Sequence, residues 1–223
     1  MNTRRAFSIA AIGVAAGSLL VQTSWAQPAG QPQGTGGLQN RSTPRGRIGA
    51  IIRSDPGDHE ELAPEIVAPL RDVGLTMTDQ PSLYYLLSGR VTHPVRLAIS
   101  TPGQSRPLAY FELPRTQPIG LSVVRLRDHG VRLTLNLIHV WSVELERDPN
   151  NPSLNLVASA PIKYVPADPT LERTLREILP ERRNAVLVQA HYWYDAVELA
   201  QATRDRDGGA ALAELFAREE LHL

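Results

Sequence analysis

The densest group of chemically capable side chains in this sequence is the run Tyr192-Trp193-Tyr194-Asp195. Residues three apart on a helix share a face, so Tyr192 and Asp195 are placed to form a phenol–carboxylate pair. Trp193 points to a different face and is expected to pack in the core. Tyrosine and tryptophan commonly pack with one polar end in water, which favours packing plus a structural hydrogen bond over a ligand site.

A second chemical candidate is His139, which lies where apolar residues occupy alternate positions. Between residues 131 and 145 the odd positions are apolar apart from His139, and most even positions are polar. This period of two predicts a strand with one apolar face, and it turns His139 toward that face. Buried polar groups are usually hydrogen-bonded, so we expect a core histidine rather than a base or a metal ligand.

Other patterns that would indicate catalysis or metal binding do not occur in the sequence. The six histidines include no His-Glu-x-x-His segment, and there is no Gly-x-Ser-x-Gly turn. Asp58-His59-Glu60-Glu61 is expected to be an exposed acidic loop, because four adjacent residues fix little coordination geometry. The absence of cysteine excludes disulfides, thiolate metal sites and a thiol nucleophile. We therefore predict no catalytic residue, no metal, no cofactor and no enzymatic activity.

The first 26 residues have the layout of an export signal. Arg4 and Arg5 precede an apolar run over residues 6–21, and the small residues Ser24 and Ala26 stand where a signal peptidase reads. A run of 16 residues is shorter than the roughly 20 that a membrane-spanning helix needs. We expect cleavage after Ala26, a periplasmic or secreted protein, and no integral membrane anchor once the signal is removed.

The export route is left open between two alternatives. Thr3-Arg4-Arg5-Ala6-Phe7 resembles a twin-arginine signal, which serves proteins that fold before they cross the membrane. The general secretory route is the other alternative, because Ser8-Ile9 replaces the usual ending of the twin-arginine pattern.

Removing the signal changes the charge and exposes a linker. The whole chain has 23 basic and 23 acidic side chains, and the chain after Ala26 has 21 and 23, a formal charge of −2. This slight acidity excludes the basic surface of a nucleic-acid binder. Residues 27–47 are rich in Gln, Gly and Pro, with Leu38 as their only large apolar residue, and are predicted to be a disordered linker.

Residues 48–166 have the pattern of a β-rich domain in an α+β protein. Short apolar runs bounded by turn residues are typical of an antiparallel β-sandwich, here of immunoglobulin-like type. Asp128-His129-Gly130 separates two runs and is predicted to be a hairpin turn with a positive φ at the glycine. The predicted strands are residues 83–87, 95–99, 108–111, 121–126, 131–145 and 154–157.

Residues 167–223 are predicted to be helical and to pack on the sandwich. Asp168 and Pro169 predict a helix start, as a cap and a first-turn proline. A second helix is predicted over 182–204, ended by residues 205–209, and together the two resemble one tetratricopeptide-type helix pair. A third short helix is expected to bury four residues: Leu212, Leu215, Phe216 and Leu221.

Two further segments carry a resemblance to a known family. The first is Gly74-Leu75-Thr76 followed by Pro81 and the strand pair Tyr84-Tyr85, of which one tyrosine is expected to face outward. The second is Ala190-His-Tyr-Trp-Tyr-Asp-Ala-Val197. They resemble the two motifs of the domain-of-unknown-function 928 family, with His191-Tyr192 where the family usually has Gly-Ile. The motif residues are expected to be structural or partner-binding: Gly74, Leu75, Thr76, Pro81, Tyr84, Tyr85, Trp193, Tyr194, Asp195 and Ala196.

The resemblance implies an exported bacterial protein without an established activity, and it supplies no catalytic residue. Two function classes remain open. The first is a non-catalytic interaction module of the cell envelope, with a protein or a glycan as its partner. The alternative is a periplasmic small-ligand binder or hydrolase with a site around His139, Tyr192 and Asp195. A pocket that joins His139 to a carboxylate would favour the alternative, and a tightly packed His139 would favour the first.

Overall fold

A computed structural model of the chain describes residues 46–48 and 63–221, and there two β-sheets precede four α-helices. The three-stranded sheet has the order β1-β3-β6, and the five-stranded sheet has the order β2-β8-β7-β4-β5. The α+β class predicted from the sequence is confirmed. The strands are β1 Pro64–Ile66, β2 Gly74–Thr76, β3 Ser82–Leu87, β4 Val95–Ser100, β5 Ala109–Glu112, β6 Gly120–Arg125, β7 Ile138–Leu145 and β8 Leu156–Tyr164.

One strand pair corrects the prediction of a purely antiparallel sandwich. β2 runs parallel to β8, with Gly74 opposite Ile162 and Thr76 opposite Tyr164, so the five-stranded sheet is mixed. Every other named strand pair is antiparallel. A parallel pair needs a long connection, and here the chain passes through five further strands between β2 and β8.

The core is built from the alternating apolar positions of the strands. Along β7 the residues from His139 to Leu145 at odd positions are at most 3% exposed, while Ser142 and Glu144 between them are half-buried. Leu97 and Ile99 of β4 lie opposite Val143 and Trp141 and extend the same buried face. Because side chains alternate across a strand, the apolar rows of neighbouring strands bury one continuous face of the five-stranded sheet.

Strand β3 is buried along its whole length. All six residues of Ser82–Leu87 are at most 5% exposed, including Tyr84 and Tyr85. β3 is the middle strand of its sheet, and the Ser82 hydroxyl on one face bonds Glu198 of a C-terminal helix. The prediction that one of the two tyrosines faces outward is therefore wrong, because both faces of this strand are covered.

The chain between β6 and β7 is not the predicted hairpin. β6 and β7 belong to different sheets, and a 3₁₀ turn over Leu126–His129 leads from the first toward the second. Gly130 does have the predicted positive φ, at 66°. The predicted strand over 131–145 begins only at Ile138, and Leu135 and Leu137 are 53% and 39% exposed. Leu133 is buried in this crossover, but Leu135 meets β8 only through an isolated bridge to Tyr164, so the apolar alternation does not produce a strand before Ile138.

The helices are α1 Pro169–Glu177, α2 Arg183–Gln189, α3 Trp193–Asp207 and α4 Ala210–Arg218. The start of α1 is confirmed, since the Asp168 carboxylate accepts a hydrogen bond from the Leu171 amide at 2.8 Å. The single helix predicted over 182–204 is wrong. It is divided into α2 and α3 at His191, whose φ is 65° and whose carbonyl accepts a hydrogen bond from the Leu75 amide. A contact distant in sequence thus interrupts the helix.

Helix α3 is the centre of the helical part. It packs against α2, α4, β2 and β3. The four residues predicted to be buried around α4 are at most 6% exposed, which confirms that part of the pattern. Helix α1 has no fully buried residue. The likeness to a tetratricopeptide-type pair and to an immunoglobulin-like sandwich stays a prediction.

Several predictions fall outside the described residues. These are the export signal with Arg4, Arg5 and Ala26, the linker up to residue 45, and the acidic loop Asp58-His59-Glu60-Glu61. Gly46 and Arg47, at the end of the predicted linker, are described, and Arg47 forms hydrogen bonds with Pro69 and Glu65. No helix in the described part of the chain is long and apolar enough to cross a membrane.

Candidate functional site: the motif junction

The two motif segments meet in space although they are more than 100 residues apart. Residues 74–77, which form β2 and its end, lie against residues 191–195, which form the start of α3; we call this contact the motif junction. The Leu75 amide donates to the His191 carbonyl at 3.0 Å, and the Met77 amide donates to the Asp195 carboxylate at 3.0 Å. The junction closes the outer edge of β2, which is an edge strand of its sheet.

Gly74 is a glycine because the ring of Tyr194 lies directly on its backbone. A Cβ at this position would lie 2.6 Å from Cε2 of Tyr194 and 3.2 Å from Cδ of Pro69. Non-bonded carbon atoms prefer separations of about 3.5–4.0 Å. The first residue of one motif is therefore fixed by an aromatic residue of the other.

The Tyr194 side chain is buried at the centre of the junction. Its hydroxyl donates to the Pro161 carbonyl at 3.1 Å and accepts from Nε1 of Trp141 at 2.9 Å, so β8 and β7 both bind it. The two rings meet edge to face, with centroids 6.4 Å apart. Burial raises the pKa of Tyr194 far above its usual range. This phenol is a structural hydrogen-bonding group.

The neighbouring aromatic residues reach two other segments. Nε1 of Trp193 donates to the Val67 carbonyl at 3.3 Å, and the Tyr192 hydroxyl donates to the Pro166 carbonyl at 3.2 Å. Tyr192 therefore does not form the predicted hydrogen-bonded pair with Asp195. The four consecutive side chains from Tyr192 to Asp195 instead bond the start of α3 to four separate segments of the β-sheets and their loops. Their partners are Pro166, Val67, Pro161 and Met77.

Asp195 is the carboxyl group of the junction, and its pKa is strongly shifted. Burial raises the pKa of its carboxyl to about 6, and the charge of Glu198 acts in the same direction. Hydrogen bonds from the Met77 amide and the Thr76 side chain oppose the rise. Among the described residues no cation is paired with this carboxylate.

Three of the remaining motif residues also form hydrogen bonds inside the domain. The Pro81 carbonyl accepts from the Leu126 amide at 3.1 Å, and the Tyr85 hydroxyl donates to Oε1 of Gln117 at 2.6 Å. Ala196 is fully buried, and its carbonyl accepts a hydrogen bond from the side-chain Nδ2 of Asn184 at 2.6 Å. Burial raises the pKa of Tyr84, helped by the charge of Glu198.

His139 is packed and fully bonded, as the pattern predicts. It is 1% exposed, and its Nε2 accepts from the Thr134 amide at 3.0 Å. The neutral ring then carries its proton on Nδ1 and donates it to the Thr101 hydroxyl, also at 3.0 Å. Burial lowers the pKa of His139, which favours this neutral form. Its hydrogen bonds reach neither Tyr192 nor Asp195, so the three residues do not form one site.

Arg47 forms buried internal hydrogen bonds that the sequence analysis did not predict. Its side chain is 7% exposed, donates to Oε1 of Glu65 at 2.8 Å, and donates to the Glu219 carbonyl at 2.9 Å. Oε2 of Glu219 accepts in turn from the Leu70 amide at 2.7 Å. Arg47 follows a stretch with linker composition, so no local signal marks it.

A small cleft of about 60 Å³ adjoins the motif junction. Ligand pockets for small molecules have volumes of about 300–1,000 Å³, so this cleft has room for a side chain or a few waters rather than a whole ligand. No group of three or more metal-ligating side chains exists in the described residues. The cleft is lined by Pro69, Asp72, Val73, Val188, His191, Trp193, Arg218 and Glu219.

Comparison with known proteins gives one match. The model of the family described as Domain of Unknown Function (DUF928) matches residues 48–220, which is most of the chain and includes both motifs. No curated protein and no solved structure matches the chain.

Proposed function

The chain belongs to the DUF928 family, and on that premise we propose that it is a non-catalytic interaction module of the bacterial cell envelope. Its N-terminal 26 residues direct export, and cleavage after Ala26 releases it to the periplasm or the exterior. The two sheets serve as an immunoglobulin-like platform for the C-terminal helices. Its partner is an envelope protein or a glycan.

One observation supports this proposal: the polar side chains of the predicted candidate site form hydrogen bonds inside the domain. Tyr194 bonds Trp141 and Pro161, and both nitrogens of His139 are bonded. An acid, base or nucleophile must reach its substrate within hydrogen-bonding distance. Groups held in this way support a structural role for the motifs, and recognition then falls to the outer surface.

We place the partner contact at the cleft beside the motif junction. Its rim has charged groups of both signs, Asp72, Arg218 and Glu219, next to the exposed His191. His191 has a positive φ, a conformation that is uncommon for a residue with a side chain and is often found at functional positions. The cleft is small, which suits a side chain or one sugar unit of a larger partner.

The test is affinity capture from the native envelope fraction with the processed chain as bait. The partner is expected to be retained by the wild type and by Arg176→Glu, an exposed charge reversal on α1. It is expected to be lost with Arg218→Glu at the cleft. Purified protein that captures nothing reproducibly would contradict the interaction role, and capture unchanged by Arg218→Glu would contradict this placement.

A second candidate, a small-ligand binder or hydrolase, has one observation in its favour. A carboxyl with a pKa of about 6 is the kind of group that active sites use near neutral pH. The candidate predicts hydrolysis of model esters or phosphoesters that Asp195→Asn abolishes without unfolding the protein. Equal turnover in the wild type and in Asp195→Asn would rule out Asp195 as the basis of this candidate function.

A further inference from the structure

Gly46 and Arg47 lie beside the cleft that adjoins the motif junction. Arg47 bonds two of the residues that line the cleft: its amide donates to the Pro69 carbonyl and its side chain to the Glu219 carbonyl, both at 2.9 Å. Gly46 lies against the loop between Pro69 and Asp72, since a Cβ on it would overlap the Leu70 carbonyl. The chain that precedes Gly46 therefore leaves the domain at the rim of the cleft.

The cleft combines apolar and charged lining residues. The apolar ones are Pro69, Val73, Val188 and Trp193, and the charged ones are Asp72, Arg218 and Glu219. Its volume of about 60 Å³ gives room for one side chain. Val73 and Val188 are only half-buried, so an apolar side chain seated in the cleft would remove them from water together with itself.

The chain before Gly46 contains one side chain suited to this cleft. Leu38 is the only large apolar residue of the predicted linker, and it precedes Gly46 by eight positions. Arg41 and Arg45 follow it, and no acidic residue occurs between positions 34 and 45. Eight extended residues span at most about 29 Å, which is ample for Leu38 to return to a cleft that begins beside Gly46.

We propose that Leu38 docks in the cleft of its own chain, with Arg41 and Arg45 against the acidic rim. The linker then occupies the place where the partner contact is proposed, and it acts as a built-in competitor of that partner. This consequence rests on the proposed function, whereas the docking itself does not.

Charge and tethering both favour this occupant. The rim has Asp72 and Glu219 against Arg218, a formal charge of −1, while residues 34–45 have a charge of +2. A short flexible tether gives its segment an effective concentration in the millimolar range, which a segment of another molecule reaches only at high concentration. The linker of a second copy and a side chain of a foreign protein are the competing occupants, and the experiment distinguishes them.

Trypsin cleavage of the Arg41–Ser42 bond measures the docking without any partner. Cleavage of the processed wild type is expected to be about tenfold slower than that of Leu38→Ser, because proteolysis follows the population of the undocked segment. Leu38→Met is expected to keep the slow rate, and Gln39→Ser is the control beside it. Synthetic peptides of residues 34–45, with and without Leu38→Ser, are expected to be cut at equal rates.

A substitution on the domain tests the other side of the contact. Asp72→Lys, at an exposed position, is expected to raise the cleavage rate in the wild-type background and to add nothing in Leu38→Ser. Glu177→Lys, at an exposed position on α1, is expected to change neither rate. Thermal melting of each variant verifies that the domain remains folded.

The outcomes separate the docking from the proposed function. The docking is overturned by equal cleavage of the wild type and Leu38→Ser, by Asp72→Lys that cleaves at the wild-type rate, or by protection that is lost on dilution from about 100 µM to 1 µM, which would assign the cleft to a second copy. Slow cleavage of a wild type that captures no envelope partner supports the docking and contradicts only the interaction role. If both hold, Leu38→Ser is expected to capture more partner than the wild type does.

Discussion

Gly74 and Tyr194, 120 positions apart in the chain, are in direct contact: the tyrosine ring covers the glycine backbone so closely that a Cβ would lie 2.6 Å from Cε2. The ring stays in this place because its hydroxyl bonds both Trp141 and Pro161. The contact joins a β-strand edge to the start of α3. Substitutions at these two residues therefore test whether the two family motifs form one structural unit.

Gly74→Ala is expected to destabilise the fold by about 1–3 kcal/mol, because the added methyl group overpacks against a ring that cannot move away. Urea denaturation followed by circular dichroism measures the change. In a Tyr194→Ala background the same substitution is expected to cost much less, since the ring is gone. Equal costs in both backgrounds would show that the clash is not with Tyr194.

Tyr194→Phe is expected to lower the free energy of unfolding by about 1–3 kcal/mol. It removes the hydroxyl that accepts from Nε1 of Trp141 and donates to the Pro161 carbonyl, and both groups are then buried without that partner. Tyr110→Phe is the matched control, because Tyr110 is 50% exposed. A similar loss in both variants would argue against the buried hydrogen bonds as the cause.

Asp195→Asn is expected to change how stability depends on pH. The folded state raises the pKa of this carboxyl from 3.8 to about 6, so the folded chain holds the proton more tightly than the unfolded chain does. The contribution of Asp195 to stability is therefore greatest below about pH 4 and falls as the pH rises through 6. At pH 7 the variant, whose amide oxygen still accepts from Met77, is expected to be more stable than wild type by about 2–3 kcal/mol.

The measurement for Asp195 is a set of urea titrations between pH 4 and pH 8. The advantage of Asp195→Asn is expected to shrink toward pH 4, where the wild-type carboxyl is already neutral. Asp128→Asn, at an exposed position, is the control and is expected to follow the wild-type curve. An advantage that is constant with pH would show that it does not come from ionisation.

Arg47→Met is expected to cost about 2 kcal/mol, because it removes the charged hydrogen bonds to Glu65 and to the Glu219 carbonyl. The exposed Arg176→Met is its control and is expected to have little effect. Thermal melting of the two variants makes the comparison. If Arg47→Met melts like wild type, the residues before Ile48 contribute little to the domain.

Replacing Arg4 and Arg5 together by lysine is expected to stop export by the twin-arginine route while leaving a general secretory signal intact. Cell fractionation measures the location of the chain, and N-terminal sequencing of the exported form is expected to begin at Gln27. Export of the double-lysine variant at the wild-type level would assign the chain to the general secretory route.

Local patterns predicted the elements whose structure depends on near neighbours. Asp168 and Pro169 start α1 as expected, and the buried side of α4 follows from the spacing of its leucines and Phe216. The strand alternation around His139 also placed that residue correctly. These features depend on capping geometry and side-chain period, which a short window of sequence contains.

Features that depend on distant contacts were missed or misplaced. β8 extends to Tyr164 through small residues, which do not have the composition typical of a strand. One of them, Ala160, lies opposite the bulky Trp141 on β7, and this position favours a small side chain. The break at His191 is stabilised by Leu75, and α3, more than 100 residues away in the chain, packs against the strand that contains Tyr84. Each of these follows from the assembled fold rather than from the residue's own neighbours.

The sequence pointed to the motif residues of the junction but misjudged what they do. Tyr192 and Asp195 looked like a pair because helical spacing places them together. In the fold, each side chain instead bonds a partner outside the helix. The Tyr192 hydroxyl donates to the Pro166 carbonyl, and the Asp195 carboxylate accepts from the Met77 amide. Helical spacing alone does not reveal that α3 begins between two sheets.

The contacts that close the domain join residues that are far apart in the chain. Arg47 bonds a residue 172 positions later, and Met77 bonds one 118 positions later. Asp195 lies in α3 and Glu219 directly follows α4, so the β2 edge stays open until the helical part has packed against the sheets. Contacts between distant residues require a long loop to close before they can stabilise the chain. The motif junction is therefore expected to form late in folding, after the local strand pairs.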